Sequence, residues 1–151
     1  MSLQVRVFIF LLITIWLFGI FIEFLIPLQK GLAYLFPFLE SIYSTVCHQK
    51  PKKLIEIGGA HTLVCARCTG IYLGGFLSSF IFLFIAKVNL KNGKLMIAAS
   101  IPMIIDVLLY SSGLYEYSKT IALITGLLLG SVGIAYIYNG LQILVEKNEK
   151  S

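Results

Sequence analysis

Apolar residues run almost unbroken through four stretches, 5–28, 69–88, 95–114 and 120–145, with short polar connections between them. Runs of this length with few charges are long enough to cross a bilayer as helices, so each is expected to span. The first, VRVFIFLLITIWLFGIFIEFLIPL, is broken only by Arg6 and Glu23, and it would reach roughly 36 Å at 1.5 Å per residue. It is too long for the apolar core of a secretory signal, and no small-residue cleavage site follows it. Residues 31–46 differ. Pro37, Glu40, Ser41, Ser44 and Thr45 fall on one side at helical spacing, with Leu35, Phe36, Leu39, Ile42, Tyr43 and Val46 opposite. That stripe predicts an amphipathic helix at the interface or against the bundle.

Composition agrees with lipid as the solvent. Of 151 residues, 58% are hydrophobic and only 13% charged, too apolar for a single soluble core and opposite to a disordered chain. The expected fold is therefore an all-α integral membrane protein, one membrane domain over 1–151, placed in the cell membrane as a multi-pass chain. It comprises about four transmembrane helices, the amphipathic helix and one polar loop at 47–68. Twelve Lys and Arg against seven Asp and Glu give a net charge of +5. The cations are scattered among the connections without aromatic interleaving, a pattern that suits anionic lipid and argues against nucleic acid. With four crossings, six cations lie on each side, which gives no positive-inside preference.

The polar loop holds the chemistry. Cys47, Cys65 and Cys68, with His48 and His61, are all the cysteines and histidines of the chain, and they fall within 47–68. Cys65-Ala66-Arg67-Cys68 is a C-x-x-C at the start of an apolar helix, where unsatisfied N–H groups favour thiolate. Cys47 adds a third sulfur from the end of the amphipathic helix. One histidine would complete a Cys₃His tetrahedron suited to a metal ion, with zinc the expected one. His61, four residues before Cys65, is sterically the easier ligand; His48 adjoins Cys47 and needs a non-helical backbone there. The same thiols also fit a redox pair exchanging disulfides with a quinone, or a plain structural staple.

Two further features lie in the apolar runs. Asp106, within IPMIIDVLLY, is costly in hydrocarbon by roughly 2.5–3.5 kcal/mol when ionised, so it should face the bundle with a partner and is a functional candidate. Pro102 and Tyr110 share its helix face, and Glu23, near the end of its run, can snorkel. Gly70, Gly74 and Ser78 repeat every four residues, as do Ala122, Gly126 and Gly130. Such stripes let helices approach closely in lipid and offer faces for oligomerisation.

Cys47-His48-Gln49-x-Pro51 followed by Val64-Cys65-Ala66-Arg67-Cys68-Thr69-Gly70-Ile71-Tyr72-x-Gly74 resembles the signature of a family of small prokaryotic membrane proteins, domain of unknown function 2085. The resemblance continues through Asp106 and Thr125-Gly126-x-x-x-Gly130. It departs at Lys53-Leu54, where the family tends to carry Arg-Ser. It implies a polytopic membrane fold, names no reaction, and marks Cys47, His48, Gln49, Pro51, Cys65, Arg67, Cys68, Tyr72 and Asp106 as motif positions. On that basis His48 replaces His61 as the expected fourth ligand. The expectation is a metal centre of Cys47, His48, Cys65 and Cys68 at the bundle mouth, above a cavity lined by Asp106 and Tyr72, with Gln49 and Arg67 as further site residues. Its chemistry would be metal-assisted, on a lipidic or amphipathic substrate, with Asp106 moving a proton. Four protein ligands would close the shell and favour a structural role instead, so enzymatic activity stays open. The rivals are a quinone-linked thiol oxidoreductase using Cys65 and Cys68, a small transporter or channel component with Asp106 on its path, and a scaffold.

Overall fold

The computed structural model describes residues 3–85, 90 and 93–148, with side chains through Val145. Among these residues the order is α1 (Leu3–Ile20), α2 (Ile22–Leu25), α3 (Phe36–Val46), β1 (Leu54–Ile57), β2 (Ala60–Cys65), α4 (Ala66–Phe84), α5 (Lys94–Ser111) and α6 (Lys119–Asn148). Helices α1, α4, α5 and α6 are long and apolar enough to cross a membrane. The protein is an all-α membrane protein carrying one small hairpin. Residues 86–88, the end of the expected span 69–88, and most of the connection after it lie outside the described residues, as does the tail beyond 148.

The first span is shorter than its apolar run. It stops at Ile20 rather than near 28, because Phe21 leaves the helical region (φ −99°, ψ 16°). The Phe21 N–H turns back to the Phe18 carbonyl at 3.1 Å. Across the interface, Tyr43 of α3 donates its hydroxyl to the Trp16 carbonyl at 2.6 Å. Gly19 makes room for that ring; a Cβ there would collide with the Tyr43 hydroxyl. Glu23 therefore sits beyond the span instead of snorkelling from within it. Two of its oxygens serve the hairpin: one accepts the His61 backbone N–H at 3.0 Å, and the other lies 3.7 Å from the His61 ring.

The amphipathic stripe forms a helix from Phe36, after a 3₁₀ turn over Lys30–Tyr34. Pro37 starts it, in the first turn where a missing N–H costs nothing. Phe36, Leu39 and Tyr43 pack inward, whereas Leu35 and Val46, expected on the same face, stay about half exposed.

The segment read as a loop contains an antiparallel hairpin. Gly58 and Gly59 take positive φ (62° and 85°), the geometry of a primed two-residue turn that glycine adopts without strain. The register pairs Leu54 with Cys65, Glu56 with His61 and Ile57 with Ala60. An irregularity lies between Leu54 and Glu56, and there the Thr62 hydroxyl oxygen accepts the Ile55 N–H at 3.1 Å. The hairpin lies over Ile20, Ile22, Tyr43, Leu63 and Val64, a buried cluster that includes Cys47.

Helices α4 and α6 make the most extensive contact in the bundle. Their glycine stripes face each other: Gly70 and Gly74 lie against the Leu123 and Leu127 carbonyls, and Gly126 and Gly130 against those of Arg67 and Ile71. Without a hydrophobic difference between protein and lipid, such backbone approach is what holds transmembrane helices together. Ser131 adds a hydroxyl bond to the Gly74 carbonyl at 3.2 Å. The two stripes thus meet each other within the chain.

The seam can be tested with two glycines of one helix. Gly130→Val should lose about 1–3 kcal/mol from overpacking and lower the thermal unfolding midpoint in detergent. Gly133→Ala, where a Cβ meets nothing within 4 Å, should leave that midpoint near wild type.

Candidate metal centre

The chain leaves α3 at Cys47 in extended conformation (φ −143°, ψ 136°). Gln49 then turns it, with a positive φ of 42°, costly for a residue with a Cβ. The Gln49 side-chain amide offsets this by donating to the Leu63 carbonyl at 2.8 Å, tying the turn to β2. Gln49 thus acts here as a brace between two chain segments. The hairpin delivers Cys65 to the start of α4, and Cys68 follows in that helix's first turn.

These three elements bring the sulfurs of Cys47, Cys65 and Cys68 to within 4.8 Å of one another. Two thiolates sharing a zinc at 2.3 Å would stand about 3.8 Å apart, so the spacing needs only a small contraction around an ion. Cys47 is buried and the other two partly so. The Cys65 backbone N–H donates to the Cys47 sulfur at 3.2 Å. The Cys47 thiol is held well below its usual range: the Cys65 and Cys68 thiols hydrogen-bond it first of all, then the backbone N–H groups of Cys65 and Gln49, together outweighing its desolvation. A thiolate-stabilising cradle is what a metal or a redox partner requires.

Neither histidine belongs to this group, among the described residues. His48, next to Cys47 on an extended backbone, is exposed. It does line the same cavity. His61 is drawn off by the strand, since four residues of β structure span about 13 Å. Its ring sits between Glu23 and Glu56, 3.7 Å from each. The described donor set is three sulfurs.

The three sulfurs border a cavity of about 310 Å³, together with His48, Lys50, Lys53, Arg67 and Tyr117 among others. The Lys53 ammonium lies 4.2 Å from the Tyr110 ring centre and 5.0 Å from that of Tyr117, a cation–π seat. Burial pushes the Tyr117 phenol up to about 12, with the Cys65 charge adding to it, so it stays neutral.

Asp106 does not line this cavity. Its two oxygens are taken by the Arg67 guanidinium and the Tyr115 hydroxyl. The pair is enclosed, with side chains 16% (Arg67) and 2% (Asp106) exposed. Tyr72 packs against the buried cluster that includes Cys47, lies 6.0 Å from the Trp16 ring and borders an apolar cavity of about 560 Å³ between helices. Tyr115 and Tyr117 escaped the sequence reading because their partners lie on distant segments and they carry no local spacing signal.

A family model described as a predicted membrane protein, DUF2085, matches residues 47–137, from Cys47 through most of α6. The chain belongs to the DUF2085 family. An uncharacterized protein of Methanocaldococcus jannaschii is 37% identical over 102 residues, covering 66% of this chain and 65% of that protein, just under two thirds of its length. An uncharacterized protein of Methanothermobacter thermautotrophicus is 33% identical over 102 residues, covering 66% of this chain and 90% of the relative. No solved structure matches.

In this DUF2085 chain, breaking the buried pair should cost more than removing it. Arg67→Ala is expected to destabilise by about 3–5 kcal/mol by stranding the Asp106 carboxylate. A double Arg67→Met, Asp106→Leu variant should recover most of that loss. Unfolding midpoints in detergent for the two single and one double variant measure it.

Proposed function

We propose that this protein is a multi-pass protein of the cell membrane that holds one zinc ion on Cys47, Cys65 and Cys68 and uses its open position on a polar group of an amphipathic substrate. The observation that carries the reading is the convergence of three sulfurs, from the end of α3, from β2 and from α4, on one cavity that His48 also borders. Three protein ligands with a free position match catalytic zinc sites, whereas a fourth ligand would close the shell. When bound, the ion would supply Lewis acidity toward a carbonyl or phosphoryl oxygen.

The chain's own residues do the rest. The Cys65 N–H keeps the Cys47 sulfur charged and oriented. Asp106 acts on Arg67, fixing its guanidinium at the cavity wall, and so is a positioning residue rather than a proton carrier. Tyr117 stays protonated beside the thiols and is available as a donor. The placement at the end of the bundle, next to α3 and the aromatic residues Tyr110 and Tyr117, suits a substrate whose polar end reaches the membrane surface.

Elemental analysis of protein purified in detergent, paired with a free-thiol count before and after chelation, tests the reading. The expected result is one zinc per chain and three thiols released by a chelator. Cys47→Ser should lower zinc occupancy at least tenfold in limiting metal. Metal-free protein with a Cys65–Cys68 disulfide that cycles with a quinone would overturn it in favour of thiol redox chemistry.

A further inference from the structure

The cavity above the thiols is lined by an unbalanced set of charges. Lys50, Lys53 and Arg67 border it together with His48, and no carboxylate does. Asp106 neutralises Arg67 from the other side through one terminal nitrogen. The guanidinium Nε is left buried without a hydrogen-bond partner, a cost that a native structure rarely carries without a ligand or water to meet it. Arg67 cannot swing away to solvent to satisfy it, because its own pairing with Asp106 fixes it.

Three thiolates with a divalent ion carry a net charge of −1, and the two lysines more than offset it. The open end of α4 adds to the same field. Cys65, its capping residue, makes no side-chain bond to the first-turn N–H groups, and these favour an anion. The volume of about 310 Å³ sits at the low end of ligand pockets, enough for a headgroup rather than for a whole lipid. Basic pockets at the bundle end, level with interfacial aromatics, are where lipid phosphates are held.

From this arrangement we propose that the cavity binds a phosphate group, on a lipid headgroup or free, between Lys50, Lys53 and Arg67, beside the three sulfurs. The inference rests on the zinc reading above. It assigns the substrate class, a phosphate ester or phosphate, and gives Lys50 and Lys53 a role in recognition.

The test uses the intact chain in a non-ionic detergent, with zinc content measured in every sample. Inorganic phosphate and dihexanoyl phosphatidate are titrated separately, each followed by calorimetry and by the rise in thermal midpoint that a ligand specific to the folded state produces. Saturable binding of at least one probe, at least tenfold weaker in Lys50→Gln, Lys53→Gln protein at unchanged zinc content, is expected. Tighter binding of the phosphatidate assigns the membrane as the source, and tighter binding of inorganic phosphate assigns a soluble one. Stoichiometric zinc with no binding of either probe, or with binding indifferent to the lysine exchange, overturns the phosphate site while leaving the metal reading intact. Absence of zinc sinks the metal reading and this inference with it.

Discussion

The arrangement of the cysteine end depends on the pairing of Arg67 with Asp106. An acid on an apolar helix is tolerable in lipid only with its charge met, and the nearest cation stands between two of the three cysteines. Helix α5 packs chiefly on α6, so this pair, reinforced by the Tyr115 hydroxyl, ties it to the first turn of α4. The consequence runs both ways. Asp106 holds the wall of the thiol cavity, and Arg67 lets an acid reside five residues before the end of a transmembrane helix, Ser111 being the last.

A second constraint sets where α4 itself stands. The glycine seam brings α4 and α6 backbones into contact near Arg67 and Ile71, which places the C-x-x-C turn beside the start of α6. Tyr117 lies just before Lys119, where α6 begins, and so becomes a wall of the same cavity. Side chains from segments 50 residues apart meet there because two helices have no side chains in the way. Packing that seems remote from the chemistry is what gives the cavity its boundary.

The four spans, the interfacial helix and the thiol grouping were legible because each rests on local periodicity or spacing. A long apolar run has one stable outcome in lipid, since helices alone satisfy their own backbone. What escaped notice was decided by partners elsewhere. The first helix ends at Ile20, where Phe21 leaves the helical region, although the apolar run continues to about residue 28. The hairpin was readable from Gly58-Gly59 between β-branched runs, and was passed over because the surrounding polarity suggested a loop. The two histidines lie outside the described sulfur group: His61 sits between Glu23 and Glu56, and His48 borders the cavity beside the thiols.

This difference changes what the thiols are suited to do. A histidine in the shell would have left a saturated ion, with the loop as its product and stability as its role. Three sulfurs with a cationic cavity above them make a different object: an anionic cradle whose charge is answered by residues that are not its ligands. Lys50 and Lys53 have no carboxylate to meet within the cavity, and a fold that wanted only stability would gain by placing one there.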